Sequence, residues 1–292
     1  MISASKTDQG WGQPPWRIDS RSNPGPIPDE IDFAVIGGGY TGLSAAASLR
    51  LLDPARSVAL FERDSIGAGA SGRTGGMALA ETAAGDLPGL GDVLAGFRKI
   101  LADLQVDCDL QLPGAWEIGR RGGLPDSPIV WKDSGDLRAM KEVPGGTIDP
   151  GKMVSGLAAA AERLGAQIVE GAEIQNIAFD DSVQFEIRGK RVVAKKVLMA
   201  TNAMSLELNK LINRGYPKFT LAAATEPLAD AHLAELGLDS YKPFYTVDLP
   251  YLWGRLHLYV SLEWARHAIS RHERRHSKLW FLHGFFGPRK IY

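Results

Sequence analysis

Three adjacent glycines, Gly37, Gly38 and Gly39, separate the apolar run "FAVI" from "YTGLSAAASLRLL", so residues 32–52 read as strand, tight turn and helix without interruption. The G-x-G-x-x-G spacing of Gly37, Gly39 and Gly42 is what a pyrophosphate at a helix N-terminus requires. Backbone N–H groups and the positive helix end must come close to the phosphates, and a Cβ would obstruct them. On that reading Gly37 makes the turn, Gly39 admits the phosphate and Gly42 lets the helix pack on the strand. Glycines also serve ordinary turns, so the flanks decide. "SVALFERD" reads as the next strand, and Glu62 closes it, where an acid accepts hydrogen bonds from a ribose. Strand, glycines, helix, strand and acid in this order predict a dinucleotide-binding βαβ unit. The carboxylate of Glu62 would oppose a 2′-phosphate. This stretch alone does not separate NAD from FAD.

The 292 residues exceed one typical domain, so two interlocked domains are expected. A net charge of -1 gives no general pull toward nucleic acid or a membrane surface. There is no apolar run of about 18 residues to form an integral membrane segment. Residues 1–30 are rich in Pro, Gly and Ser, lack the basic-then-apolar order of a secretory signal, and read as an irregular lead-in. The lone Cys108 excludes an intramolecular disulfide and a Cys-cluster zinc site. It reads as core filler, and it fits a reducing compartment, so a cytoplasmic location is expected.

Farther on, Val93, Leu94, Phe97, Ile100, Leu101 and Leu104 recur at helical spacing. "TIDPGKMVSGLAAAAERLGAQIVEGAEI" reads as a helix capped by Asp149, with Pro150 in the first turn and Gly165 at the stop, followed by a strand. "AFDDSVQFEIRGKRVVAKKVLMATNA" reads as a hairpin turning at Arg188–Lys190 and ending in a buried strand, Val197 to Ala200. The aromatics Trp116, Tyr245, Tyr251 and Trp253 fit core positions or a pocket wall.

"ERDSIGAGASGRTGGMAL" runs from Glu62 directly into a second Gly/Ser-rich segment containing Arg73. Such a segment exposes backbone donors along a pyrophosphate, and an arginine balances phosphate charge. Here the sequence resembles the FAD-dependent amine and amino-acid oxidoreductases, the group that includes glycine oxidase, D-amino-acid oxidase and gamma-glutamylputrescine oxidoreductase. "GTIDPGKMVSGLAAAAERLGAQIVEGAEI", "KVLMATNA" and "ATEPLAD" carry the likeness onward in the family's order, over about residues 31–255.

The resemblance implies an α/β fold: a Rossmann-like FAD-binding domain with a second, mainly antiparallel α+β substrate domain, here incomplete. It divides the chain into a lead-in (1–30), FAD-binding parts (31–105 and 148–205), substrate-domain parts (106–147 and 206–256) and an atypical basic tail (257–292). It implies FAD as cofactor and a small-molecule amine or amino-acid substrate, with no nucleic-acid partner. By position, Gly37, Gly39, Tyr40, Thr41 and Gly42 would hold the pyrophosphate, and Glu62 with Arg63 the adenosine side. Ser71, Arg73, Thr74, Gly75, Gly76 and Met77 would line the flavin side, mostly through backbone. Ile174 would face adenine, and Ala200 with Thr201 would close over the phosphates. Thr74 stands where the family often has Asn. No catalytic acid or base is legible.

The chain departs from the family twice. The stretch between "GAWEIGRR" and "TIDP" is short for the first part of a substrate domain. No second glycine-bearing cofactor block follows "PYLWGRL". From Arg255 onward lie eight of the 33 basic residues, two of the 34 acidic ones and five of the six histidines. That tail fits a frame-shifted or truncated end adding nothing to the core. It also fits a basic amphipathic helix around Leu262–Arg275 or a metal pair at His272 and His276. Two further functions stay open: a catalytically deficient flavin-binding remnant, and an NAD-dependent Rossmann dehydrogenase.

Overall fold

Val58, Ala59, Leu60 and Phe61 are all buried, a run that a strand tolerates only when both of its faces are covered. In the computed structural model, which describes residues 14, 16–19, 26–81, 89–132, 136–202, 221–225, 227–248, 251–259 and 276–284, they form β2 of a six-stranded sheet. The elements in chain order are β1 (Glu30–Ile36), α1 (Tyr40–Leu52), β2 (Val58–Phe61), a 3₁₀ turn (Ala70–Arg73), β3 (Met77–Leu79), α2 (Val93–Asp103), β4 (Ala115–Gly119), β5 (Val130–Trp131), β6 (Leu137–Val143), β7 (Gly145–Thr147), α3 (Pro150–Arg163), β8 (Gln167–Val169), β9 (Ile174–Phe179), β10 (Val183–Ile187), β11 (Lys190–Met199), β12 (Leu221–Ala224), α4 (Asp230–Glu235), β13 (Phe244–Thr246), β14 (Tyr251–Tyr259) and β15 (His276–Gly284).

The six-stranded sheet has the order β8-β2-β1-β11-β10-β9. Its first four strands are parallel, and β10 and β9 continue it antiparallel. Side chains alternate between its faces. Val35, Val58 and Leu60 pack with Leu43, Ala46 and Ala47 of α1 and with Met153, Val154 and Leu157 of α3. Ala34, Ile36, Ala59 and Phe61 join Phe185 and Val192 on the other face, with the rings of Phe61 and Phe185 edge to face at 5.5 Å. Small residues on α1 let it lie close to the sheet, as the βαβ reading expects.

A seven-stranded sheet, β12-β15-β14-β13-β4-β6-β5, is antiparallel except where β13 meets β4. One of its faces holds Trp116, Ile118, Phe244 and Leu256 against Leu233 and Leu238 around α4. β3 and β7 form a short ribbon between the two sheets in the chain path. The architecture is therefore α/β with a second, mainly antiparallel sheet, in accord with the expected fold class. No helix among the described residues is long and apolar enough to cross a membrane.

Several local expectations hold, and others need correction. Asp149 caps α3, accepting a hydrogen bond from Lys152 N at 2.9 Å, with Pro150 in the first turn. Gly165 follows the helix at φ +92°. Cys108 is buried, and burial, with Asp107 and Asp109 adding to it, pushes its thiol up to about 11.

The run Val197–Ala200 is not a buried strand. β10 pairs with β11 only as far as Ala194, and Leu198 is 41% exposed. The apolar stripe of α2 is likewise shallow, with only Leu101 and, at the C-cap, Leu104 buried and Ile100 exposed. Of the lead-in only residues 14, 16–19 and 26–30 are described, and Trp16 among them is buried.

The expectation that the tail adds nothing to the core falls, beyond His257, on side chains outside those described, but part of its backbone joins the second sheet. The backbone of β15 pairs with β14 on one side and β12 on the other. Aromatic and branched residues in "KLWFLHG" favour extended chain, and an open strand edge accepts it. The helix expected around 262–275, and with it His272 of the metal pair, lies outside the described residues. Among those described, no cluster of metal ligands occurs.

The Asp149 cap yields a stability test. Asp149→Ala should cost about 1 kcal/mol through loss of the cap, whereas Asp149→Asn, which caps as well, should cost less. Urea unfolding of the two variants measures the difference.

Candidate functional site

The glycine turn after β1 is built by contacts with backbone. Gly37 N donates to Phe61 O at 2.9 Å, and Ala200 N donates to Ile36 O at 2.8 Å, so the ends of β1, β2 and β11 meet there. This is the C-terminal edge of the parallel strands, where open α/β sheets hold ligands. Gly37 has φ +113°, and a Cβ on it would lie 2.5 Å from Ala200 O. A Cβ on Gly42 would overlap Gly37 O, so α1 begins in direct backbone contact with the turn.

Glu62 is fixed rather than merely nearby. Its Oε2 accepts from Gly38 N at 2.7 Å and its Oε1 accepts from Asp64 N at 2.9 Å. Arg63 turns to Asp64, Nε to Oδ2 3.3 Å. Ala172 N donates to Glu62 O at 2.7 Å. Ile174, two residues on, is buried, with its backbone opposite Ile187 in the β9–β10 pair.

Gly39 needs a refinement. Beside it lies the Ser71 hydroxyl, 2.8 Å from where a Cβ would stand, accepting from Tyr40 N at 2.9 Å. An anion approaching Gly39 therefore meets Ser71 as well as backbone. Thr41 is exposed in the first turn of α1.

The second glycine segment is tied to the first, Gly67 N to Gly38 O at 2.9 Å. Arg73 donates from Nε to Ala68 O at 3.4 Å. Thr74 ends the 3₁₀ turn in extended conformation, and Met77 pairs with Thr147. A Cβ on Gly75 would collide with the Trp253 ring, and Gly76, at φ +68°, sits against Ile148 O, Pro150 and Arg255. Thr201 N lies 3.3 Å from the place a Gly37 Cβ would take. The Thr201 hydroxyl is buried without a hydrogen-bond partner among the described residues. Except for Ile174, which stands off beyond Ala172, the sixteen residues picked from sequence thus gather along two joined loops and the strand ends around them.

Three residues here were not picked from sequence as site residues. Trp16, buried, donates from its indole to Gly72 O at 2.8 Å. Trp253 and Arg255 come from alternate positions of β14 and so share a face. Arg255 donates through Nη1 to Gly76 O at 3.2 Å and to Ile148 O. Burial lowers its guanidinium to about 10, with Asp149 and Tyr40 opposing the shift. The Tyr40 phenol, bonded to Pro150 O at 3.3 Å, is pushed upward by burial and by Cys108 and Asp149. Beside Trp253 across the β13–β14 pair stands Tyr245, whose hydroxyl donates to Glu117 Oε2 at 3.1 Å. An arginine inside the apolar "YLWGRL" was the visible signal, since a charge in a buried strand needs partners.

A family model described as FAD dependent oxidoreductase matches residues 32–260. The chain belongs to that family. Its cofactor is FAD. Over 240 residues the chain is 26% identical to gamma-glutamylputrescine oxidoreductase of Escherichia coli (strain K12), covering 68% of this chain and 56% of that one; it thus spans little more than half the length of that relative. Among solved structures, glycine oxidase from Geobacillus kaustophilus superposes with TM-score 0.60 at 17% identity, over 90% of this chain and 75% of that one. L-proline dehydrogenase from P. horikoshii gives TM-score 0.60 at 14% identity, over 89% and 71% respectively. These likenesses are of fold.

The geometry makes Glu62 and Gly39 direct probes. Glu62→Gln should weaken FAD binding by roughly 1.5 to 3 kcal/mol, the weight of a charge-assisted hydrogen bond. Gly39→Val should drive a side chain into Ser71 and the N-terminus of α1 and abolish retention of flavin. Fluorescence titration with FAD measures both, and unchanged affinity in either variant would remove that residue from the site.

Proposed function

We propose that this chain binds FAD across the two glycine segments and oxidises the C–N bond of an amine or amino acid. The observation that carries the cofactor part is the meeting of unused polar capacity with a close-packed glycine turn at a helix start. The Thr201 hydroxyl, buried without a hydrogen-bond partner among the described residues, lies beside a turn whose glycines pack so closely on Ala200 O, Ser71 and Gly37 O that no Cβ fits. A buried hydroxyl without a partner costs about 1–3 kcal/mol, and a phosphate oxygen would satisfy it. In this reading Gly37 to Gly42, Ser71 and Thr201 hold the pyrophosphate, Glu62 the ribose, and Gly75 to Met77 the flavin side. FAD supplies the hydride acceptor and the route of electrons to dioxygen or another acceptor.

The chain's own contribution is orientation and exclusion of water. The substrate amine must be neutral for a hydride to leave its α-carbon. Trp253 and Arg255, the side chains over Gly75 and Gly76, do not accept protons at neutral pH, so no acid or base is assigned. The amine class draws support from the likeness to gamma-glutamylputrescine oxidoreductase. The second glycine segment, bonded to the first through Gly67 and Gly38, favours FAD over the NAD reading.

Anaerobic addition of candidate amines to the FAD-loaded protein tests this proposal. Gamma-glutamylputrescine, glycine and a set of D- and L-amino acids form the first panel, and bleaching of the yellow flavin by at least one is the expected result. A yellow protein that no amine bleaches would overturn the substrate class in favour of the catalytically deficient remnant. A protein that takes up no FAD would overturn the whole reading.

A further inference from the structure

β14 presents Trp253, Arg255 and His257 on one face, at alternate positions, and each reaches the glycine segments or what packs on them. Trp253 lies over Gly75. Arg255 donates to Gly76 O and to Ile148 O. The His257 ring is 6.0 Å from that of Trp16, whose indole holds Gly72 O. The opposite face of the strand is committed elsewhere, with Leu256 packed into the cluster around α4.

Among these contacts Arg255 stands apart. It is only 5% exposed, it carries a charge, and it joins two carbonyls from segments far apart along the chain, Gly76 and Ile148. Its Nε is buried without a partner among the described residues. A chain that needed only to fasten two loops could do so with a neutral donor and avoid burying a cation. The titratable groups facing it are the carboxylate of Asp149, at the N-terminus of α3, and the neutral phenol of Tyr40, at the N-terminus of α1. The guanidinium therefore sits where both helix starts and the flavin-side turn converge.

We infer that Arg255 is a positioning residue for the cofactor: from the second sheet it sets the Gly75–Met77 turn in the conformation that the flavin side of FAD requires. This rests on the FAD reading above and adds to it a residue outside the glycine segments. Gly76, at φ +68°, has its carbonyl shared between Ile148 N at 2.8 Å and Arg255 Nη1 at 3.2 Å. Loss of Arg255 leaves the single backbone bond to hold the turn beneath Trp253.

The test compares Arg255→Gln, Arg255→Lys and Leu256→Ala in the full chain. Arg255→Gln should raise the FAD dissociation constant about tenfold, the weight of one charge-assisted hydrogen bond, and should blur the resolved shoulders of the visible flavin band as water reaches the ring. Arg255→Lys keeps the charge and should recover part of both. Leu256→Ala, a cavity on the opposite face, should lower the melting temperature but leave FAD affinity within about twofold, since large-to-small core changes act on stability. If both Arg255 variants bind FAD like the parent with an unaltered band, the inference falls. It falls equally if Leu256→Ala weakens FAD as much as they do. Failure of the parent chain to bind FAD would overturn the underlying reading, and the inference with it, and shows in the parent alone.

Discussion

The contact between α1 and the turn that precedes it, with Gly42 pressed on Gly37 O, is the constraint on which the rest of the molecule depends. Because no Cβ intervenes, the helix starts within reach of the strand ends, and the positive end of its dipole points into the space between β1, β2 and β11. The parallel order β8-β2-β1-β11 follows from that crossover, since β1 and β2 run side by side only if the connecting helix lies flat on one face. Glu62 can bond Gly38 N only because β2 ends level with the turn, as its register with β1 ensures by setting Phe61 opposite Ile36.

The second sheet obeys a different rule. Its strands have one face against α4 and the other toward the first sheet's loops, so its residues divide by parity. Trp116 and Phe244 go into the core, while Glu117, Tyr245 and Trp253 are left on the other face. Lys242 lies over the Trp116 ring at 4.7 Å, and Lys141 pairs with Glu117 at 3.4 Å. An ion pair with a half-exposed lysine, as at Lys141, contributes little. What fixes the sheet is the apolar face, and what gives it a part in the site is the face that parity leaves over.

The sequence made the nucleotide side legible because its signals are local. Glycine spacing, the small residues of α1 and the acid at Glu62 all lie between Gly37 and Glu62, and each has a steric or electrostatic reason that needs no knowledge of distant chain. The helix cap at Asp149 was readable for the same reason. Missed were Trp16 and Arg255, and Trp253 was read only as core or pocket wall; these act on partners remote in the chain, as Trp16 on Gly72 and Arg255 on Gly76, and nothing in "PPWRID" or "YLWGRL" names the partner. Leu198 misled because an apolar run reads as buried whether or not a neighbour covers it. In the tail, composition foreign to the rest does not prevent the β15 backbone from pairing along an open edge.

These two kinds of contact give the site two halves of unequal robustness. The turn at Gly37 and the Glu62 bond close over short separations, so little chain entropy opposes them. The turn at Gly75 and Gly76 is met instead by Trp253 and Arg255 from another sheet, and neighbouring Gly72 by Trp16 of the lead-in. Such contacts exist only once distant elements have docked, and local opening starts where contacts are few and remote. On the proposed function, nucleotide binding and flavin positioning would be separable properties of one chain, the first resting on the glycine motif and the second on how firmly β14 is held in its sheet.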